Sequence, residues 1–88
     1  MEFQNFKLLG ASCIEEKGIC MLIGVRNYLS NEWVEVAIPR ENFTPQELYK
    51  HALKNGSLCP NKNAIAKGLL KQFDKFLVND ELKVKNYH

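Results

Sequence analysis

Trp33-Val34-Glu35-Val36-Ala37-Ile38-Pro39-Arg40 runs, after Glu41 and Asn42, into Phe43-Thr44-Pro45-Gln46-Glu47-Leu48. The first stretch alternates with a period of two. Trp33, Glu35 and Ala37 share one side, and Val34, Val36 and Ile38 share the other, so the Val/Val/Ile side is expected to face a core. Pro39 removes a ladder donor and ends the strand. The second stretch carries four helix-start signals. Thr44 is an N-cap and Pro45 occupies the first helical position, where its missing N–H costs nothing. Glu47 sits where a capping box needs it, and Phe43 and Leu48 are spaced as a hydrophobic staple. A strand followed at once by a capped helix sets the class: α+β.

Working outward, the residues before Trp33 read as strands. Phe6, Leu8 and Leu9 lead to Cys13 and Ile14. Glu15-Glu16-Lys17-Gly18 offers a turn, with Gly18 able to take positive φ. Ile19 to Leu29 is apolar and β-branched, and Gly24 within it marks a bulge or a close backbone approach. Ser30-Asn31-Glu32 is a second turn. The expectation is a three-stranded antiparallel meander over about residues 3–38.

After Thr44 the first helix is expected over about 45–55, with Leu48, Tyr49, Ala52 and Leu53 as its apolar stripe and Gly56 as a left-handed cap. Ser57-Leu58-Cys59-Pro60 is a link with Leu58 turned inward. A second helix is expected over about 62–78, its core side formed by Ile65, Leu69, Phe73, Phe76 and Leu77. Gly68 costs about 1 kcal/mol there relative to Ala and would allow close packing. The tail, residues 79–88, alternates from Glu81 to Tyr87. It is compatible with a fourth strand or with a loose end. The whole chain, 1–88, reads as one domain: a meander packed against two helices.

Composition narrows the chemistry. The chain has 88 residues, 45% hydrophobic and 25% charged, with a net charge of +2. The charge is divided unevenly. Residues 1–42 carry four Lys/Arg against six Asp/Glu, and residues 43–88 carry eight against four. Cys13, Cys20 and Cys59 are an odd set, which fits free thiols in a reducing compartment. No signal-peptide pattern opens the sequence. Its longest apolar run, Ile19 to Ile23, is far below the ~18–20 residues that span a bilayer. These features lead to the expectation of a soluble, cytoplasmic protein.

Catalytic and cofactor patterns are sparse. Gly10, Gly18 and Gly24 match no phosphate-binding spacing. No C-x-x-C or paired His/Cys spacing suggests zinc. His51 with Cys59 is the one conceivable nucleophile pair, and it lacks an orienting third group. Glu15 and Glu16 belong to a turn that points them at water, where paired carboxylates do no hydrolytic work. The expectation is a protein that is not an enzyme and carries no cofactor or metal.

Two surfaces remain for binding. Arg26, Trp33, Glu35 and Arg40, with Tyr28 and Tyr49 as further aromatics, are residue types enriched in protein-binding hot spots, and the first four are expected on the outer sheet side. Lys67, Lys71 and Lys75 recur at i, i+4 and i+8. Lys62 precedes them, and Lys50 and Lys54 form a similar pair on the first helix. Such rows contact phosphates in nucleic-acid binders. Lys is also the ordinary solvating residue of a helix surface.

Trp33 to Asn79 also resembles a known module. The residues concerned are Ile38-Pro39-Arg40, Thr44-Pro45-Gln46-Glu47-Leu48, Gly56-Ser57-Leu58-Cys59-Pro60, Ala66-Lys67-Gly68-Leu69-Leu70 and Phe76-Leu77. They resemble the N-terminal portion of a domain-of-unknown-function family of plasmid and phage proteins. That family has a strand ending in an Ile-Pro-Arg-like motif, a capped helix, a G-x-x-x-P link and a second helix ending in Tyr-Leu or Phe-Leu. Its larger members continue into a helicase-like or primase-associated ATPase. This sequence stops before such a region, so ATP hydrolysis is not carried over. The resemblance implies a mobile-element setting and a partner in nucleic-acid metabolism. The resulting expectation is a small phage-type module that docks on a nucleic-acid-processing or host-defence protein and modulates or inhibits it, as an anti-CRISPR inhibitor does. The alternative is a nucleic-acid-binding accessory domain acting through the lysines. An exposed strand edge would also permit a homodimer.

Overall fold

The computed structural model describes residues 5–16, 18–79 and 84–87. Strands β1 (Phe6–Ile14), β2 (Gly18–Arg26) and β3 (Trp33–Pro39) form the expected antiparallel meander with β2 between the other two. A 3-10 turn, Arg40–Asn42, leads to α1 (Pro45–Lys54), and α2 (Lys62–Asn79) follows. The segment Val84–Tyr87 is placed parallel to Ala11–Ile14 on the far side of β1. Phe3, the expected start of the first strand, and tail residues 80–83 and 88 lie outside the described residues.

Strand alternation sorts the side chains onto two faces. Phe6, Ala11, Met21, Ile23, Val25 and Ile38 face the helices. There they meet Phe43, Leu48 and Ala52 of the α1 region and Ile65, Ala66, Leu69 and Phe73 of α2 in one core. Both helices therefore cover the same face. Register and alternation put Lys7, Ser12, Cys20, Leu22, Gly24, Arg26, Trp33, Glu35 and Ala37 on the opposite face. Ser12, Cys20 and Leu22 are buried there as well. This is why β2 reads as a continuous apolar run: from Cys20 to Val25 it is buried on both sides.

Burial along β3 is graded. Ile38 is buried, Val36 is half-buried and Val34 is exposed. The Val/Val/Ile side does face the helical layer, but only its C-terminal end is closed over. The bulge falls in β1, not at Gly24: Leu8 pairs with Ile23 and Gly10 with Leu22, so Leu9 is the extra residue and is exposed. Gly24 marks the other alternative, a close approach, described below.

The helix signals act as read, with one difference. Glu47 N–H donates to Thr44 Oγ1 at 3.1 Å, and Phe43 and Leu48 are both in the core. The Glu47 carboxylate faces His51, with Nε2 at 3.4 Å, so the cap is one-sided. At the other end Ser57 N–H donates to the Ala52 carbonyl at 2.8 Å and Gly56 N–H to the Leu53 carbonyl at 3.2 Å. These two bonds make a Schellman motif, and Gly56 supplies its left-handed residue at φ 67°. The motif folds Ser57 back against the helix, so Ser57 is buried and Leu58 is turned out, the reverse of the expected orientation. Tyr49 and Leu53 are exposed too. They lie about 100° and 140° around the helix from Leu48, and only Leu48 and Ala52 reach the core.

A Cβ added at Gly56 would lie 2.6 Å from Asn27 Nδ2. Gly56→Ala is therefore expected to lose about 1–2 kcal/mol to left-handed strain and about 1 kcal/mol from the displaced Asn27 amide. Urea denaturation of the two proteins measures it. An unchanged midpoint would show that the cap imposes no such constraint.

Candidate functional site

The end of the molecule at the β2–β3 connection is organised by two asparagines. Asn27 Oδ1 accepts from Leu29 N–H at 2.8 Å and Ser30 N–H at 2.9 Å, which builds the turn. Its Nδ2 donates to the Asn55 carbonyl at 3.1 Å, and the neighbouring Tyr28 N–H donates to the Gly56 carbonyl at 2.8 Å. The turn is thus fixed to the C-terminus of α1. Asn5, the residue before β1, is buried and ties the start of that strand to β2 and to the link after α1. Its Oδ1 accepts from Arg26 Nε at 3.2 Å and Nη2 at 3.0 Å, and its Nδ2 donates to the Leu58 carbonyl at 3.1 Å. Asn31 takes a left-handed conformation, φ 63°, a region that Asn enters more readily than most residues.

Trp33 stands beside this junction, opposite Arg26 in the ladder. Lys7 Nζ lies 4.3 Å from the ring centroid and Arg26 Cζ 5.8 Å from it. A Cβ on Gly24 would come within 3.2 Å of both the ring and the Lys7 stem. Absence of a side chain at Gly24 lets them settle onto the sheet. Trp33 remains 41% exposed. Tyr28, Leu29, Val34, Leu53 and Leu58 are exposed at the same end, and Leu29 at the turn is 86% exposed.

The structure brings three of the four expected partner-binding residues together. Arg26, Trp33 and Glu35 share the outer sheet face. Arg40 does not join them. It follows β3 at its far end, roughly 20 Å along the strand from Trp33, and its guanidinium pairs with Asp74 of α2 at 3.5 Å. Tyr28 and Leu29 belong to the candidate surface, and both are well exposed. Tyr28 was legible as an aromatic. Leu29 was hidden, because an apolar residue at the end of an apolar run reads as strand.

The lysines occupy the helical layer. Lys67, Lys71 and Lys75 are exposed on the side of α2 away from Leu69 and Phe73. Lys50 and Lys54 are exposed on α1. Lys62 differs: it is half-buried, with Nζ 5.6 Å from the Tyr49 ring centroid. Gly68, Lys71, Gln72 and Lys75 line a shallow groove of about 210 Å³.

A larger groove, about 450 Å³, runs beside β3 and was not foreseen. Glu16, Ala37, Pro39, Glu41, Asn42, Glu47 and His51 line it. Its residues come from the hairpin, the strand end, the 3-10 turn and α1, so sequence spacing gave no signal. His51 belongs here beside Glu47, whereas Cys59 packs against the core beyond the cap of α1. No hydrogen bond links the two among the described residues. Burial pushes the Cys59 thiol above its ordinary range, with Lys62 acting weakly in the other direction. A raised pKa leaves less thiolate at neutral pH and makes a poor nucleophile. Among the described residues no group of three or more His, Cys, Asp or Glu is placed to hold a metal. No described helix is long and apolar enough to cross a membrane.

No protein-family model, curated protein or solved structure matches the chain.

Trp33 is the one tryptophan of the chain and reports on its own site. Lys7→Ala is expected to shift its fluorescence emission to longer wavelength and to cost about 0.5–1 kcal/mol of stability. An emission spectrum identical to the parent protein would show that Lys7 does not cover the ring.

Proposed function

We propose that this chain is a non-enzymatic binding module that docks on a protein of nucleic-acid metabolism through the β2–β3 end. Exposed apolar side chains at this end support the reading, Tyr28 and Leu29 of the turn beside Trp33 on the outer sheet face. Scattered exposed apolar residues need no explanation, but a gathered set marks a contact surface. The cluster is also held in place. Asn5 and Asn27 fix its backbone through hydrogen bonds to the Leu58 and Asn55 carbonyls that follow α1, so little ordering entropy remains to oppose binding.

The charge at the cluster selects the partner's chemistry. Lys7 and Arg26 flank Trp33, with Glu35 on the same face and Glu32 just before the ring, so the complementary surface is apolar at its centre with charges of both signs at its rim. Lys7 lies over the indole ring, which favours a protein contact at the ring edge over stacking of a nucleobase on its face. The assignment to nucleic-acid metabolism, and the mobile-element setting in which such a module inhibits a nuclease or defence complex, comes from the sequence resemblance.

The test is crosslinking capture from source cells, followed by titration of the purified partner. The expected partner is a nuclease, helicase, primase or similar protein. Tyr28→Ala/Leu29→Ala is expected to weaken binding by roughly 30-fold or more, equivalent to about 2 kcal/mol at a hot spot. Recovery of partners with no role in nucleic-acid processing would refute the assignment. Equal binding by the double variant would refute the surface.

A further inference from the structure

A second surface stands apart from that docking end, and its case is independent of it. The two helices cover one face of the sheet, so their outward sides form the opposite wall of the molecule. We propose that this wall binds the sugar–phosphate backbone of nucleic acid, with Lys67, Lys71 and Lys75 as the contact row.

The first support is charge segregation. Residues 45–79 contain six lysines and two acids, Glu47 and Asp74. Both acids are engaged elsewhere. Asp74 pairs with Arg40 of the 3-10 turn, and Glu47 faces His51. Asp74 lies beside Lys75 and three positions after Lys71 in the sequence, and the fold turns it toward Arg40. The other described acids, Glu15, Glu16, Glu32, Glu35 and Glu41, belong to turns, β3 and the 3-10 segment. The helical wall is left as a cationic surface with no ion pair to Lys67, Lys71 or Lys75 among the described residues.

Geometry is the second support. Positions four apart on a helix are about 6 Å apart along its axis, so the row spans about 12 Å. A duplex presents a charge about every 1.7 Å along its axis, and long mobile ammonium groups at that reach can each meet a phosphate. The groove among Gly68, Lys71, Gln72 and Lys75 adds a shallow, largely apolar depression between two of the cations. Phosphates would meet the ammonium groups while a sugar rests in the depression.

A lipid surface is the competing polyanion. A membrane-lying helix inserts its apolar side into the bilayer. The apolar side of α2 is consumed: Ile65, Leu69 and Phe73 are buried in the core. The lysine side offers charge without an insertable face, which suits a phosphate backbone.

Fluorescence anisotropy with labelled duplex DNA, single-stranded DNA and RNA of about 25 residues tests the proposal across about 50–200 mM salt. Three phosphate contacts give a log–log salt slope of about −2.7 on a duplex, a roughly 40-fold loss over that range. Lys67→Gln/Lys71→Gln/Lys75→Gln keeps helix propensity and is expected to bind at least tenfold more weakly with a flattened slope. Lys67→Arg/Lys71→Arg/Lys75→Arg is expected to retain binding. Far-UV circular dichroism checks the fold of each. Tyr28→Ala/Leu29→Ala is expected to bind nucleic acid like the parent, which separates this surface from the docking end. The proposal is overturned by any of four results: no binding at low salt, full binding by the glutamine variant, loss of binding in Tyr28→Ala/Leu29→Ala, or preference for phosphatidylserine vesicles or polyglutamate over nucleic acid.

Discussion

Polar groups that leave water must find partners inside the protein, and in this fold that demand converges on Asn27. One amide side chain holds the turn between β2 and β3 and reaches the last carbonyl of the α1 cap. Asn5 plays the matching part between β1, Arg26 and the link to α2. The described cysteines are free thiols, so no crosslink does this work. Removing either side chain would strand carbonyls and amides at a partly buried junction, where an unmet group costs about 1–3 kcal/mol. The sheet and helices share an apolar core, but these two residues set how the strand ends and the helix end meet.

That junction has a functional consequence. A loop carrying Tyr28 and Leu29 would ordinarily be among the more mobile parts of a small protein. Here it is bonded at both its base and its side, and Trp33 is settled next to it by Gly24. Rigidity and exposed apolar area are opposed requirements in a domain this small, because apolar residues are needed for the core. The fold meets both by closing its core between the sheet and the two helices and leaving apolar side chains of the β2–β3 end exposed.

The legible parts of the sequence were those governed by local chemistry. Thr44, Pro45 and Gly56 announce the limits of α1 because capping is decided by neighbours within four residues. The lysine row is legible for the same reason. What was not legible depends on contacts between distant segments. Leu58 points outward because the Schellman motif takes Ser57 inward and Asn5 holds the Leu58 carbonyl, 53 positions away in sequence. Tyr49 and Leu53 belong to an apolar stripe by periodicity, yet α1 touches the core with only a narrow side. Arg40 was grouped with Trp33 as a residue type. Strand length separates them, and Asp74 claims it. The groove by β3 assembles Glu16, Glu41, Glu47 and His51 from three segments and has no local signature at all.

The Arg40–Asp74 pair bears on the lysine surface. It is exposed, so its direct worth to stability is small. Its larger effect is on the distribution of charge. It holds the acid of α2 against the guanidinium of the 3-10 turn. The lysine row is left without an ion pair among the described residues. A weak surface ion pair can thus decide which faces of a small protein attract anions, because the field of such a molecule is set by where its few uncompensated charges lie.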